Sequence, residues 1–202
     1  MATTQRGRPR AFDREQALER ALRIFWEHGY EATSVAGLTR AMGISPPSLY
    51  AAFGDKRGLF EEVLDVYGAT YGAFAGRALA EEPTGRAAVE RLLREAAAEY
   101  GVAGRPRGCL VITAAINCTS PEVEEDLRRR RNATIALIEG RVREDADAGR
   151  LAPGTDPTAL AHYVGAVVQG LSQQARDGAS RTVLEGIAAL ATAAWPGAPA
   201  DV

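Results

Sequence analysis

The side chains with the widest chemical range in this 202-residue chain are two cysteines and two histidines. Cys109 and Cys118 are nine residues apart, which on one helix places them half a turn out of phase and about 13 Å apart along the axis. They therefore cannot form a disulfide with each other while that helix is intact. Cys109 follows Arg107 at a predicted helix start, where positive charge and the helix dipole favour a thiolate. This position predicts either a redox- or electrophile-sensing thiol or an inert, partly buried cysteine.

No set of residues with the spacing of an enzyme active site accompanies these cysteines. His28 and His162 are too few and too far apart in sequence to build a metal site with them. The chain contains no nucleophile motif, phosphate-binding loop or dinucleotide fingerprint. In the acidic and basic run 124–131, each acid meets an arginine four residues on, which indicates a self-paired, solvated helix face. We expect no metal, no cofactor and no enzymatic activity; a helical enzyme that uses scattered carboxylates stays as an alternative.

The segment 33–60, TSVAGLTRAMGISPPSLYAAFGDKRGLF, has the pattern of a helix-turn-helix. Ser34 can cap a short helix, Gly43 can end it in the left-handed conformation, and Ser45 can cap the next helix. Pro46 fits the first turn of that second helix because no amide hydrogen is needed there. Such a unit lays its second helix in the DNA major groove, so the pattern predicts a DNA-binding protein. The alternative is two ordinary core helices joined by a tight corner.

Inward and outward positions can be separated on the second helix. Leu49 and Phe53, four residues apart, point inward. A helix of about seven residues is roughly 10 Å long, which suits insertion into a groove. The positions that remain partly or wholly outward are Pro46, Pro47, Ser48, Tyr50 and Ala51.

This region resembles the N-terminal domain of the tetracycline-repressor (TetR) family of one-component bacterial transcription regulators. The resemblance rests on FDREQALERALRIFWEHGYEATSV and on LTRAMGISPPSLYAAFGDKRGLFEEVL, and it covers residues 12–64. The HGYEATS turn, the SLY sequence and the FGDK step occur in order at the family's spacing. Beyond residue 64 these proteins share architecture more than sequence. The resemblance implies an all-α fold, with an N-terminal three-helix DNA-binding domain and a C-terminal helical ligand-binding and dimerisation domain.

Matched position by position, the resemblance assigns contacts with DNA. Thr33 and Ser34 would offer hydroxyl and backbone N–H groups to a phosphate at a helix N-terminus. The phenol of Tyr50 and the amino group of Lys56 would each meet a further phosphate. The chain departs from the family at its two adjacent prolines, where a long polar or basic side chain, or glycine, is frequent. Without arginine or asparagine for a bidentate base contact, we expect DNA shape to carry more of the sequence preference. The residues that would face base edges are Ser45, Pro46, Pro47, Ser48 and Ala51.

The first eleven residues, MATTQRGRPRA, are a second candidate for DNA binding. They contain three arginines and no acidic residue, and we expect them to be disordered in isolation. Gly-Arg-Pro-Arg resembles the core of an AT-hook, in which Arg8 and Arg10 would enter a narrow A·T-rich minor groove. The alternative is a basic tail with only nonspecific attraction. The N-terminal part of the chain is basic and the remainder is acidic: residues 1–60 hold 9 Lys+Arg against 6 Asp+Glu, whereas the rest hold 15 against 20.

The remainder of the chain has helical patterns. Alanine-rich segments, 6% aromatic residues and the lack of alternating apolar runs favour an all-α fold. Capping and breaking signals divide the chain into about nine helices, including single helices over 56–79 and about 109–118. We expect an arm at 1–11, a DNA-binding domain at 12–58 and an effector-binding and dimerisation domain at 59–197. Without a membrane-length apolar run or a signal-peptide pattern, we expect no membrane partner and a cytoplasmic protein, nucleoid-associated when bound to DNA.

Two C-terminal helices are the strongest candidates for dimerisation. The helix at 156–176 is apolar over most of its circumference, and the next one offers a matching face. Two such pairs would form a four-helix bundle across a two-fold axis; the alternative is burial within one subunit. The interface candidates are Leu160, Tyr163, Val164, Val167, Val168, Leu171, Leu184, Ile187, Leu190 and Trp195.

A regulator of this kind requires an effector site. We expect a homodimeric repressor of a short palindromic DNA operator, released by an unidentified small-molecule effector that changes the separation of the two recognition helices. The alternatives are a thiol-based sensor through Cys109 and an architectural DNA binder that senses nothing. The residues that could line the effector cavity, each of which also fits plain core packing, are Tyr67, Tyr71, Phe74, Tyr100, Cys109, Thr113 and Asn117.

Overall fold

The computed structural model describes residues 13–197, and these residues form ten helices with no strand beyond an isolated bridge between Leu151 and Gly197. The predicted all-α class is therefore confirmed. No helix in this part of the chain is both long and apolar enough to cross a membrane. The helices are α1 Arg14–His28, α2 Val35–Met42, α3 Pro46–Phe53, α4 Lys56–Ala69, α5 Ala73–Glu81, α6 Gly85–Glu99, α7 Leu110–Thr113, α8 Pro121–Asp147, α9 Pro157–Arg176 and α10 Arg181–Ala193.

Side-chain caps fix where the first three helices begin. Asp13, Ser34 and Ser45 each accept a hydrogen bond from the backbone N–H three residues on, at 3.0, 3.1 and 3.3 Å. Each cap supplies a partner to an N–H group that the helix itself leaves unpaired. Gly43 ends α2 with φ 72° and ψ 31°, a left-handed conformation that only glycine adopts without steric cost. The predicted helix-turn-helix is confirmed in α2 and α3.

Two helices predicted as continuous are shorter in the structure. The single helix predicted over 56–79 is wrong, because helical geometry is lost at Thr70 and resumes only in α5. The Thr70 hydroxyl donates to the Val66 carbonyl at 2.6 Å, a side-chain hydrogen bond that competes with the helical pattern. The helix predicted over 109–118 is reduced to the single turn α7, and Asn117 beyond it takes a positive φ of 56°.

Two hydrophobic cores share the long helix α8. The first core joins α1–α4 with α7 and the start of α8, to which Val123 and Leu127 belong. The second joins α5, α6, α9, α10 and the later part of α8, with Ile138 and Val142. Cys109 packs against both cores, at the point where they meet. By its packing, α4 therefore belongs with the helix-turn-helix.

Candidate nucleic-acid interface and effector cavity

The outer face of α3 is uncharged and composed mainly of short side chains. Leu49 and Phe53 are buried, as predicted. Ser48 is half-buried, and its hydroxyl lies 2.8 Å from that of Ser45. Tyr50 is the largest outward group and is 51% exposed. This face can approach a groove closely, but it holds no group for a bidentate base contact. The exposed positions are Ser45, Pro46, Pro47, Tyr50 and Ala51.

Thr33 and Ser34, both predicted to contact phosphate, differ in exposure. Thr33 is 2% exposed, and its hydroxyl donates to the Gly29 carbonyl at 2.6 Å. This hydroxyl is therefore occupied inside the protein, because the chain turns back on itself after α1. Ser34 is exposed, although its oxygen accepts the Gly37 N–H. The N-terminus of α2 thus presents Ser34 rather than Thr33 to solvent.

Lys56 is held in place at the first position of α4. Its amino group lies 4.1 Å from the centre of the Tyr30 ring, where the negative face of the ring attracts a cation. The Tyr30 ring in turn packs against Phe60, with 4.9 Å between centroids. Burial lowers the pKa of Lys56, and the nearby Glu31 carboxylate opposes that change. The packing fixes one ammonium group at the N-terminus of α4.

A cavity of about 210 Å³ is lined by side chains of both cores. Three of the predicted effector residues lie outside it. The Tyr71 hydroxyl donates to Glu19 at 2.8 Å, and Asn117 is exposed. Thr113 is buried, and its hydroxyl has no hydrogen-bond partner among the described residues. The predicted residues that do line the cavity are Tyr67, Phe74, Tyr100 and Cys109.

Hydrogen-bond donors contribute to the otherwise apolar wall of this cavity. Burial, and after it the neighbouring Cys109 thiol, raises the pKa of the Tyr67 and Tyr100 phenols well above the ordinary value. Both phenols therefore stay neutral and can donate. Arg131 also lines the cavity, and its Nη1 donates to the Val111 carbonyl at 3.3 Å. None of the described lining residues is an aspartate or a glutamate.

The segment 100–109, between α6 and α7, joins the cavity wall to α1. Its first and last residues, Tyr100 and Cys109, both line the cavity. Within the segment, the Gly108 carbonyl accepts from the indole N–H of Trp26 at 3.1 Å. The Gly104 carbonyl accepts from an α1 arginine, Arg23, at 2.8 Å. One short stretch of backbone therefore contacts both the cavity and the first helix.

Gly108 also fixes this segment against α9. Its φ is 77°, and a Cβ atom there would lie only 2.7 Å from the Ser172 carbonyl oxygen, so the position requires glycine. The next residue, Cys109, donates its N–H to the Ser172 hydroxyl at 2.9 Å. The Gly108 N–H donates to the Tyr100 carbonyl at 2.9 Å, which closes the segment into a loop. The segment is thus tightly packed between the cavity wall and α9.

Two family signatures cover most of the chain. Residues 17–63 match the bacterial regulatory proteins of the tetR family, and residues 85–189 match the tetracyclin repressor-like C-terminal domain. The HTH-type transcriptional repressor ComR of Escherichia coli (strain K12) is 36% identical over 197 residues, which cover 95% of this chain and 92% of ComR. The chain belongs to the TetR family.

Other members of the TetR family are similar over nearly the whole chain. The HTH-type transcriptional repressor BdcR of Escherichia coli (strain K12) is 36% identical over 186 residues, 92% of this chain and 90% of BdcR. A cysteine-substituted form of the TetR family transcriptional regulator CifR, solved with 26-base-pair double-strand operator DNA, is 45% identical. It superposes with a TM-score of 0.85 over 94% of this chain and 100% of that chain. The resemblance found in the N-terminal sequence therefore extends through the C-terminal helices.

In this TetR-family chain, the predicted interface residues fall into three groups. Tyr163 and Leu190 are exposed, at 42% and 74%. Val183, which the prediction omitted, is 51% exposed. These three are the large apolar side chains that α9 and α10 expose in a single subunit. The half-buried candidates are Val167, Val168 and Ile187. Candidates buried in the subunit's own core, because α9 and α10 pack on α6, are Leu160, Val164, Leu171, Leu184 and Trp195.

Arg40, which was not among the predicted DNA-binding residues, is a further candidate for phosphate contact. Arg40 lies in the last turn of α2, is exposed, and forms no ion pair or hydrogen bond with the rest of residues 13–197. Arg57 differs, because it is paired with Glu61 at 3.6 Å. The helical spacing of α2, which turns its apolar residues inward, was the available signal for an outward Arg40. The predicted arm, with Arg8 and Arg10, lies outside the described residues.

Proposed function

We propose that this protein is a homodimeric transcriptional repressor that binds a short palindromic operator and dissociates when a small molecule occupies the cavity. The observation that carries the proposal is the segment 100–109, which contributes to the cavity wall and is hydrogen-bonded to α1. ComR and BdcR are named repressors, and CifR was solved with operator DNA. Binding to chromosomal operators would place the protein in the cytoplasm, at the nucleoid.

We expect the affinity for DNA to come from phosphate contacts that each of the two subunits makes. Tyr50 on α3, Lys56 at the start of α4 and Arg40 at the end of α2 would each reach the DNA backbone. The sequence of α3, PPSLYAAF, carries no charge, so one subunit would bind weakly. Two subunits on two half-sites supply the affinity and require a palindrome. If the arm acts with them, Arg8 and Arg10 would add contacts in A·T-rich flanking minor grooves.

The dimer would form through the exposed parts of α9 and α10. Tyr163 on α9 and Leu190 with Val183 on α10 are large apolar groups that a monomer leaves in water. Two copies of this pair of helices would bury them in a four-helix bundle. A Leu190→Asp variant should therefore have the molecular mass of a monomer in solution, while its helical content is unchanged. A matched change at an exposed polar position, Arg129→Asp, should remain dimeric.

Release would follow from a change in the cavity wall. A ligand that binds one arrangement of Tyr100 and Cys109 better than another shifts the population of that arrangement. The hydrogen bonds from Trp26 and Arg23 to segment 100–109 then couple this shift to α1. By linkage, a ligand that weakens DNA binding must itself bind more weakly when DNA is present.

The first experiment is a gel shift with DNA that flanks the protein's own coding region, with a salt titration and the molecular mass in solution. We expect saturable, steeply salt-dependent binding of a dimer to one palindrome. Tyr50→Phe and Lys56→Ala should weaken binding to every DNA sequence. Lys56→Ala should also reduce the slope of log affinity against log salt concentration by about one for each phosphate contact that is lost. Arg129→Ala, whose arginine pairs with Asp126 on α8, is the control. No binding at low salt by a well-folded protein would refute the proposal.

The arm can be tested on the same palindrome. Deletion of residues 1–10 should weaken binding more on A·T-rich flanks than on G·C-rich flanks, because the narrow minor groove attracts arginine. An equal loss on both would reduce the arm to a nonspecific basic tail.

A second candidate function is thiol sensing through Cys109 on the same scaffold. The observation that favours it is the place of this thiol, in the cavity wall next to the Tyr67 and Tyr100 phenols. With N-ethylmaleimide as the probe, the sulfur would add to an alkene carbon and a proton would go to the adjacent carbon. Cys109→Ser should then abolish operator release by the probe, whereas Cys118→Ser should not. Release that persists in Cys109→Ser would exclude this function.

A further inference from the structure

Two consecutive arginines of α8 line the cavity, and only one of them is neutralised. The Arg130 guanidinium is paired with Asp65 at 2.8 Å and with Asp126 at 3.0 Å. Arg131, one position on, belongs to none of the ion pairs formed among residues 13–197, and its Nη1 donates to the Val111 carbonyl. A guanidinium has five N–H donors, so a single carbonyl leaves most of them available.

The surroundings of Arg131 make this unpaired charge unfavourable in the empty cavity. The side chain is half-buried, and burial, the largest effect, lowers its pKa, although the Cys109 thiol and the Glu124 carboxylate act in the opposite direction without forming an ion pair with it. The rest of the lining consists mainly of apolar residues such as Leu92, Ile135 and Ile138. An unpaired charge held partly away from water costs free energy that an anionic partner would recover. Rotation of the Arg131 side chain out of the cavity into water would also relieve this free-energy cost. The hydrogen bond to the Val111 carbonyl opposes such a rotation.

We propose that the effector is a small apolar molecule with a carboxylate, and that Arg131 binds the carboxylate. This inference rests on the proposed function, since it assigns a chemical class to the ligand of the same cavity. The charge of the cavity wall favours a negatively charged ligand, because the wall contains arginines and neutral donors and no described acidic side chain. Arginine binds a carboxylate through two parallel N–H···O hydrogen bonds, which an alcohol cannot form. The Tyr67 and Tyr100 phenols add neutral donors.

The size of the cavity limits the apolar part of the ligand. At about 210 Å³, the cavity is smaller than the roughly 300–1,000 Å³ that holds drug-sized ligands. A single-ring acid or a medium-chain acid of about eight carbon atoms is therefore the expected size. A cationic amine with the same apolar body should be excluded, because it would meet Arg131 without a counter-charge.

The test compares three probes that share the same alkyl chain and differ in the head group: octanoate, octan-1-ol and octylamine. Each is titrated calorimetrically into the full chain. We expect octanoate to bind at least about tenfold more tightly than octan-1-ol, and octylamine not to bind. Arg131→Gln should remove that advantage and leave the affinity for octan-1-ol unchanged. Arg131→Lys should retain part of it, because a charge remains without the planar fork. Arg129→Gln, at an exposed arginine paired with Asp126, should behave as the unsubstituted protein.

The outcomes separate this inference from the function on which it rests. Equal affinity for octanoate and octan-1-ol, or an octanoate affinity unchanged in Arg131→Gln, overturns the carboxylate assignment. No octanoate binding by a folded protein also overturns it. If octanoate binds through Arg131 but leaves the operator complex intact in a gel shift, the assignment stands and ligand-induced release is refuted. Circular dichroism and thermal unfolding of both Arg131 variants show whether the fold survives each substitution.

Discussion

The two cores of this protein are packed from different kinds of side chain. In the first core, large rings are in direct contact: the Phe25 and Phe60 centroids are 4.9 Å apart, and those of Trp26 and Tyr67 are 5.0 Å apart. The second core is built largely from alanine, leucine and valine, and it supplies more of the cavity wall than the first core, which contributes Leu64 and Tyr67. Aromatic packing leaves few alternative arrangements, whereas smaller aliphatic side chains leave space that a ligand can occupy. The packing thus favours a more rigid first core and a more adaptable second core.

The largest expected effect is the loss of a ring from the first core. Phe60, which is 1% exposed, contacts both Phe25 and Tyr30. Phe60→Ala should lower the free energy of unfolding by about 3–5 kcal/mol, because the surrounding rings cannot collapse into the space left behind. Urea denaturation followed by circular dichroism measures the change. A loss near 1 kcal/mol would contradict the description of this core as rigid.

A smaller loss is expected for a buried leucine beside the cavity. Leu92 is 1% exposed and lines the cavity. Leu92→Ala should cost about 2–3 kcal/mol, at the lower end for such a substitution, because the side chain already lacks packing partners on its cavity side. The same denaturation experiment compares it directly with Phe60→Ala. An equal or greater cost at Leu92 would remove the contrast between the two cores.

The second core also contains a buried carboxylate, whereas the described buried polar residues of the helix-turn-helix, Thr33 and Thr39, are neutral. Asp145, 1% exposed, accepts from the Gly85 and Arg86 N–H groups at 2.9 and 2.8 Å, and pairs with Arg150. Asp145→Asn should cost about 1–3 kcal/mol near neutral pH, because an amide cannot satisfy all these donors.

The pH dependence of the Asp145 contribution has a definite sign. Burial, the largest single effect, would raise the pKa of Asp145, but the Gly85 and Arg86 N–H groups and Arg150 outweigh it, so the pKa is lowered. Stability from a lowered carboxyl pKa is present above the ordinary value of about 4 and is lost as the pH falls through the folded-state value. The difference between Asp145→Asn and the unsubstituted protein should therefore shrink below about pH 4. A difference that grows there would contradict the assignment.

The smallest effect is expected at the corner between α4 and α5. The Tyr71 hydroxyl donates to Glu19 on α1 at 2.8 Å, and its ring packs against Trp26 with 5.1 Å between centroids. Tyr71→Phe keeps the ring and removes one hydrogen bond, which should cost about 1 kcal/mol. Thermal unfolding would detect this as a modest decrease in Tm. A cost as large as that of Phe60→Ala would show that the hydroxyl, not the ring, holds α5 in place.

Local signals in the sequence were sufficient to predict the helix-turn-helix. Ser34 and Ser45 cap the helices that they were predicted to cap, and Gly43 ends α2 with a positive φ. These features depend on hydrogen bonds and steric limits within four residues of each position. A short sequence therefore contains all the information that determines them.

The features that the sequence did not reveal depend on distant contacts. The pattern over 56–79 is helical throughout, and nothing in it shows that the Thr70 hydroxyl bonds to the Val66 carbonyl. An apolar helix face likewise does not state whether it meets its own subunit or a partner, so Val164 and Leu190 were predicted alike although they are 1% and 74% exposed. Arg130 pairs with Asp126, a local partner within the run 124–131, but its second partner, Asp65, is far away in sequence.

Arg176, in the last turn of α9, donates to the carbonyls of Trp26 and Glu27 in the last turn of α1, at 3.5 and 3.4 Å. The helix proposed to bring two subunits together is thus also attached to the end of the helix that supports the DNA-reading unit. An exchange of residues 35–53 with those of a relative should therefore alter which bases are read and keep the distance between half-sites. We therefore expect the separation of the two half-sites to depend on the C-terminal half of the chain, and the bases that are read to depend on the N-terminal half.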